Sequence, residues 1–180
     1  MRKGADSMKD YTILSEQEKK DLIQAAYDRG YYYENSFSNC GQCCLAALSD
    51  VFPDLGIDDK IFRSAFALGG GFGQSTLGTC GALSGAGMAI SILMGRERSD
   101  MEHPTQACFD MAYEVYEKFI EKFDGCRCCD VQRHLFGECF EFRKGQIDGY
   151  LAAGGHSKCG TVVGTAASLV AELIVEGKVK

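Results

Sequence analysis

The sequence has no tryptophan, only two prolines and no long uninterrupted apolar run. This scarcity of proline argues against a proline-rich linker or disordered tail. Residues 65–95 carry no charge, but glycines and polar residues interrupt them. The apolar part is therefore shorter than the roughly 20 residues that a membrane-spanning helix needs. We expect a buried loop and helix in this stretch, and no membrane insertion.

Clusters of basic residues and a signal peptide are also missing. The net charge is −6, and an acidic surface repels phosphate backbones, so we expect no nucleic-acid partner. The first seven residues contain no apolar core of the kind that a signal peptide requires. The sequence therefore favours a cytoplasmic protein.

The apolar residues recur at helical spacing through most of the chain. With 180 residues, we expect a single domain over 1–180, of which 1–14 would be flexible. No alternating β-branched run is long enough for a sheet, so we predict an all-α fold, a compact bundle of about six to eight helices. Residues 31–39 are predicted to form a connection between the first two helices. The predicted helices are Ser15–Gly30, Cys40–Phe52, Asp58–Phe66, Thr79–Met94, Pro104–Gly125, Asp130–Phe136, the region of Ile147 and Leu151, and Cys159–Val175.

Ten cysteines are the unusual part of the composition. Without a secretory signal, structural disulfides are a poor explanation, and a chain of this length can build its core without them. Metal or cluster ligation and thiol redox chemistry remain.

Three Cys-Gly pairs stand at predicted helix starts, at Cys40, Cys80 and Cys159, and Cys129 begins another predicted helix. A helix N-terminus offers unpaired N–H groups and a partial positive charge, which favour a thiolate or an anionic metal–sulfur cluster. A cysteine can also be a small buried apolar residue. The interpretation as a buried apolar residue is weaker here, because several cysteines share one local setting.

Other signals are weaker. Cys126-x-x-Cys129 and Cys40-x-x-Cys43 have the spacing of zinc ligand pairs, which leaves a structural zinc site open. The glycines of residues 69–73 lack the Lys-Ser/Thr of a phosphate loop, so we expect a tight turn or a close backbone approach to the cysteines. Cys108 lies on an apolar helical stripe and is predicted to belong to the core.

The segment Cys80-Gly81-Ala82-Leu83-Ser84-Gly85, with its glycine-rich lead, resembles the signature of a redox-active protein family named C_GCAxxG_C_C. The resemblance covers about residues 30–175. It implies a protein typical of anaerobic prokaryotes and kinship with the iron–sulfur portion of split-Soret cytochrome c, a dimeric haem protein whose haem motif is missing here. The four hallmark cysteines that it implies are Cys40, Cys80, Cys129 and Cys159. Six further cysteines leave ligand exchange or a second site open: Cys43, Cys44, Cys108, Cys126, Cys128 and Cys139.

Three functional hypotheses follow. In the first, Cys40, Cys80, Cys129 and Cys159 hold a [2Fe–2S] or [4Fe–4S] cluster for electron transfer or redox sensing. In the second, the protein holds no metal, and Cys80 attacks in thiol–disulfide exchange. In the third, zinc stabilises a binding module.

Substrate and partners are less defined by the sequence. No acid/base pair or nucleophile triad points to a defined substrate, so assignment as an enzyme stays open. We expect a redox partner of unknown identity. A homodimer is also expected, because one chain would not wholly cover the uncharged, glycine-rich segment.

Overall fold

The computed structural model describes residues 8–179, and within them the fold is all-α, as predicted. The one β pairing in this range is an isolated antiparallel bridge between Thr79 and Arg127. Eight α-helices follow one another along the chain: α1 (Glu16–Phe37), α2 (Cys40–Val51), α3 (Asp59–Ser64), α4 (Gly81–Met94), α5 (Gln106–Phe123), α6 (Cys128–Phe136), α7 (Ile147–Ala152) and α8 (Gly155–Val175). Short 3-10 turns lie at Tyr11–Ile13, Pro53–Leu55, Phe66–Leu68 and Phe142–Lys144.

Helix α8 forms the centre of the core and packs along α1. At their crossing, a Cβ atom on Gly30 would lie 2.9 Å from the Cα atom of Gly164. Gly30 therefore allows close helix packing and does not end α1. The predicted connection over residues 31–39 was wrong for most of its length, because α1 continues to Phe37.

Helix α8 begins one turn earlier than predicted. Gly154, in the left-handed conformation, precedes its first residue, Gly155. A side chain on Gly155 would collide with the ring of Tyr150, so a larger residue at this helix start would require that ring to move. Cys159 consequently lies in the second turn of α8 and not at a helix start, which corrects the sequence prediction.

Most other helix ends agree with local sequence signals. Ser15 and Glu18 form the reciprocal capping box that begins α1. Asp58 caps α3 by accepting hydrogen bonds from two backbone N–H groups, and Pro53 follows the end of α2. Cys80 is the N-cap residue of α4.

Residues 8–14, which were expected to be flexible, contact the fold. The Lys9 N–H and the Tyr11 hydroxyl both donate to the Asp54 carboxylate, at 2.6 and 2.7 Å. The Tyr11 ring is buried edge-on against Phe52, with ring centroids 5.0 Å apart. The rest of the predicted flexible segment, residues 1–7, lies outside the described residues.

The apolar segments are buried to different extents in the fold. In the described part of the chain, α8 is the one helix long and apolar enough to cross a membrane, and 67% of its apolar window is buried inside the fold. In the uncharged stretch 65–95, α4 is largely buried. Phe66, Phe72 and Leu77 in the same stretch are exposed, so the prediction of a buried loop was wrong at these residues.

Candidate functional site

Four cysteines from four helices line one buried cavity. Cys40 is the first residue of α2, Cys80 caps α4, Cys128 is the first residue of α6, and Cys159 comes from α8. The cavity measures about 20 Å³, roughly the room for one water molecule. The remaining lining comes from Val131, Gln132 and Val162.

Backbone pairing around the isolated bridge brings Cys80 and Cys128 to the cavity. The N–H of Cys80 donates to the carbonyl of Cys126 at 2.7 Å, and the N–H of Cys128 donates to Gly78 at 3.0 Å. Cys128 thereby reaches the cavity lining, whereas Cys129, the next residue of α6, does not line the cavity.

The structure thus brings together three of the four cysteines that the sequence singled out, Cys40, Cys80 and Cys159. Cys129 is buried outside the cavity, with Cys139 as its thiol neighbour. Sequence reasoning missed Cys128 as a cavity residue. The two adjacent cysteines differ only in the face they present, and no local signal in the sequence distinguishes those faces. The ligand role of each cysteine stays a prediction.

Of the four cysteines suggested for a zinc site, only Cys40 lines the cavity. Cys43 is buried, and its thiol donates to the carbonyl of Ser38 at 2.9 Å. Cys126 is partly exposed and interacts with the hydroxyl of Tyr116. The two halves of the proposed zinc pattern therefore do not share one site.

Glycines carry the backbone close to the cavity thiols. A Cβ on Gly81 would lie 3.1 Å from Sγ of Cys40, and a Cβ on Gly71 would lie 2.8 Å from Cβ of Cys128. Gly71 also has a φ of +70°, which favours glycine. The glycine-rich loop therefore makes the close approach to the cysteines that its sequence predicts.

The thiols of Cys40 and Cys80 form a hydrogen-bonded pair. The hydrogen bond from Cys80 lowers the pKa of Cys40, and the backbone N–H groups of Gly70 and Ala82 lower it further. The same bond and burial raise the pKa of Cys80. The two thiols therefore titrate together, and the loss of the first proton leaves the negative charge on Cys40. This arrangement favours Cys40 over Cys80 as the thiolate.

The other two cavity thiols are held neutral by burial. Burial raises the pKa of Cys159 well above its usual value, against the hydrogen bond that the Tyr150 hydroxyl donates to it. Burial also raises the pKa of Cys128 to about 12, although the amide of Gln132 donates to Sγ of Cys128 at 3.4 Å. Without a metal, Cys40 is therefore the cavity thiol that most readily becomes negatively charged.

The four thiols have the donor chemistry of a cluster site. Cys40 and Cys80 stand where N–H groups at the starts of α2 and α4 favour anionic sulfur. The cavity in its present size takes one water molecule, so a larger group requires the thiols to move apart. Over residues 8–179, no three or more His, Cys, Asp or Glu side chains are arranged to hold a metal ion.

Fold and site together define an all-α, cysteine-rich protein with four thiols around a buried cavity. The family model "Putative redox-active protein (C_GCAxxG_C_C)" matches residues 38–173, and the chain belongs to this family. The match confirms the resemblance carried by the Cys80–Gly85 motif. No curated protein and no solved structure matches the chain.

Proposed function

We propose that the protein transfers or senses electrons through an iron–sulfur cluster held by Cys40, Cys80, Cys128 and Cys159. The observation that supports this proposal is the convergence of four thiols from distant segments on one buried cavity. Four thiolates are the usual ligand set of [2Fe–2S] and [4Fe–4S] clusters. A thiol–disulfide exchange would need only two thiols. Relative to the sequence prediction, Cys128 replaces Cys129 as the fourth ligand.

The protein's own groups would tune such a site. A bound cluster supplies one-electron chemistry, with a potential set by hydrogen bonds to sulfur, charge and burial. The N–H groups of Gly70 and Ala82 favour negative charge on Cys40, and the Tyr150 hydroxyl does so on Cys159. These donors favour the reduced, more negative state, whereas burial opposes it.

The test measures iron, acid-labile sulfide and the visible spectrum of protein purified without oxygen. Wild type should contain iron and sulfide in near-equal amounts. The adjacent cysteines provide matched variants: Cys128→Ser should lose most of its iron, and Cys129→Ser should keep it. Cys108→Ser is the control, because Cys108 packs against the core on α5.

The outcomes are distinct. Iron lost in Cys129→Ser but retained in Cys128→Ser would restore the assignment made from the sequence. Full iron content in Ser variants of all four cavity cysteines would refute the cluster at this site. Zinc without iron would support the zinc-stabilised binding module instead.

A metal-free dithiol is the second candidate, favoured by the hydrogen bond between Cys40 and Cys80. The Cys40 thiolate would attack a disulfide, and Cys80 would resolve the mixed disulfide. Metal-free protein should then lose two thiols on mild oxidation and form a Cys40–Cys80 disulfide. In Cys80→Ser, the mixed disulfide on Cys40 should accumulate. Absence of any such linkage would exclude this candidate.

A cytoplasmic location in a reducing, anaerobic cell is also proposed. Its support is that all ten cysteines are free thiols in the structure, as is usual for proteins kept in reducing compartments. The redox partner would be another electron carrier. Anaerobic titration with reduced and oxidised carriers, followed by the visible spectrum, would identify its class.

A further inference from the structure

A second pair of thiols lies beside the four-thiol cavity. After α6 the chain turns at Gly137, which has a φ of +80°, and Cys139 follows two residues later. The N–H of Phe140 donates to Oε1 of Gln132 at 2.7 Å. Gln132 lies three residues after Cys129 on α6, so the two share one face of the helix. The turn therefore folds Cys139 back onto the face that carries Cys129.

The two thiols interact directly and differ in exposure. The Cys139 thiol is hydrogen-bonded to that of Cys129, with the Thr76 hydroxyl as a further partner. Cys129 is buried and Cys139 is partly exposed. Phe140, next to Cys139, packs edge-on against Phe136 with ring centroids 5.6 Å apart, which holds the segment in place.

We propose that Cys129 and Cys139 form a second redox site, a dithiol that oxidises to a disulfide independently of the four-thiol cavity. Its oxidant would be a low-molecular-weight disulfide such as oxidised glutathione, which can reach the partly exposed Cys139. The buried Cys129 is then the resolving thiol. This proposal goes beyond the proposed cluster, because it uses neither a metal nor a cavity-lining cysteine.

The exchange proceeds in two balanced steps. The Cys139 thiol loses its proton to solvent, and its thiolate attacks one sulfur of glutathione disulfide. The disulfide bond breaks and one glutathione thiolate leaves, which takes up a proton. The Cys129 thiol then loses its proton and attacks Sγ of Cys139, which releases the second glutathione as a thiol. Two electrons and two protons pass from the protein dithiol to the small disulfide.

Gln132 connects this pair to the cavity. Its Nε2 donates to Sγ of Cys128 at 3.4 Å, and its Oε1 accepts from Phe140, the residue after Cys139. A Cys129–Cys139 disulfide would tie down the segment that orients Gln132. Oxidation would therefore hold Nε2 of Gln132 in its hydrogen bond to Sγ of Cys128, one of the cavity thiols.

The experiment incubates the full chain with oxidised glutathione at mildly alkaline pH, alkylates the remaining thiols and maps tryptic peptides by mass spectrometry without reduction. Cleavage after Arg127, Arg133 and Arg143 leaves Cys139 alone on one peptide, and Cys128 and Cys129 together on another. We expect these two peptides to be linked in wild type.

Variants of the adjacent cysteines show which one is linked. The link should persist in Cys128→Ser and in the control Cys108→Ser. It should be absent in Cys129→Ser, where Cys139 should instead stay attached to glutathione because its resolving thiol is missing.

Two results would overturn the proposal: a link that persists in Cys129→Ser and disappears in Cys128→Ser, or a wild-type protein in which Cys139 stays an unlinked thiol or a lasting glutathione adduct. Iron measured on the same samples keeps this test separate from the proposed function. Cys128→Ser should lose iron and keep the disulfide, so either proposal can fail alone.

Discussion

At the scale of single residues, Glu34 is the ionisable side chain whose burial has the clearest consequence. It lies on α1 with 3% of its surface exposed, and its Oε2 has no hydrogen-bond partner. Burial raises its pKa well above the usual value, and the negative charge of Cys40 raises it further. The neighbouring Cys43 side chain lowers this pKa and so acts in the opposite direction. The folded protein therefore keeps Glu34 protonated at pH values where the unfolded chain has released that proton.

Replacing Glu34 by Gln should remove a pH-dependent loss of stability. A folded pKa above the unfolded value means that stability is complete below the unfolded pKa, about 4.3, and is lost as pH rises through the folded pKa. Metal-free Glu34→Gln should match wild type at acidic pH. At neutral pH it should be more stable, by about 1.4 kcal/mol for each pH unit above the unfolded pKa over which the folded protein still holds the proton. Urea denaturation at both pH values measures this difference.

The exposed Glu121→Gln on α5 is the control, and it should differ little from wild type at either pH. If the gap between Glu34→Gln and wild type stays the same at acidic and neutral pH, the raised pKa is not the cause.

At the scale of helices, glycines determine how closely α1 and α8 approach. A Cβ on Gly164 would lie 2.7 Å from the carbonyl oxygen of Tyr27, and Gly30 faces Gly164 from the other helix. One turn earlier on α8, a Cβ on Gly160 would lie 3.0 Å from the ring of Tyr31. The glycines that follow Cys159 therefore serve the packing of α8 against α1.

Gly164→Ala and Gly87→Ala form a matched pair that tests this packing. Both positions lie inside helices, where alanine is intrinsically better than glycine by about 0.5–1 kcal/mol. A Cβ on Gly87 would meet nothing within 4 Å, so that variant should gain stability. Gly164→Ala should lose about 1–3 kcal/mol by overpacking against α1.

Denaturant unfolding of both variants, fitted with a common m-value, provides the comparison. A gain of stability in Gly164→Ala equal to that in Gly87→Ala would show that the helices can separate without cost.

At the scale of the whole molecule, the uncharged stretch 65–95 leaves large apolar side chains in solvent. Phe66, Phe72 and Leu77 are 66%, 67% and 63% exposed, although they lie in and around the glycine-rich loop beside the cavity. Covering one such side chain gains about 1.5–3 kcal/mol. The homodimer expected from the sequence therefore remains a proposal, with this loop as its contact surface.

Light scattering should find twice the chain mass for wild type. Phe72→Ser should shift the protein toward monomer. Tyr113→Ser should not, because it changes another largely exposed aromatic residue, on α5 and outside the uncharged stretch. A monomeric wild type, or equal masses for the two variants, would contradict this contact surface.

The sequence by itself determined the helical class and several helix boundaries. The Ser15 capping box, the Asp58 cap and Pro53 act on backbone groups only a few residues away, so they can be identified without knowledge of the fold. The composition, with ten cysteines and a Cys80–Gly85 motif, likewise determined the family.

Only the tertiary structure decided which cysteines meet. Local signals predicted that the first helix ends at Gly30. Helix α1 instead continues past Gly30, which packs against Gly164 of α8 at the crossing of the two helices. Cys128 lines the cavity in place of Cys129, because residues 76–80 pair with residues 126–129 and orient one face of that segment inward. Both results depend on contacts between segments far apart in the chain, and a local pattern cannot specify which face such a contact will bury.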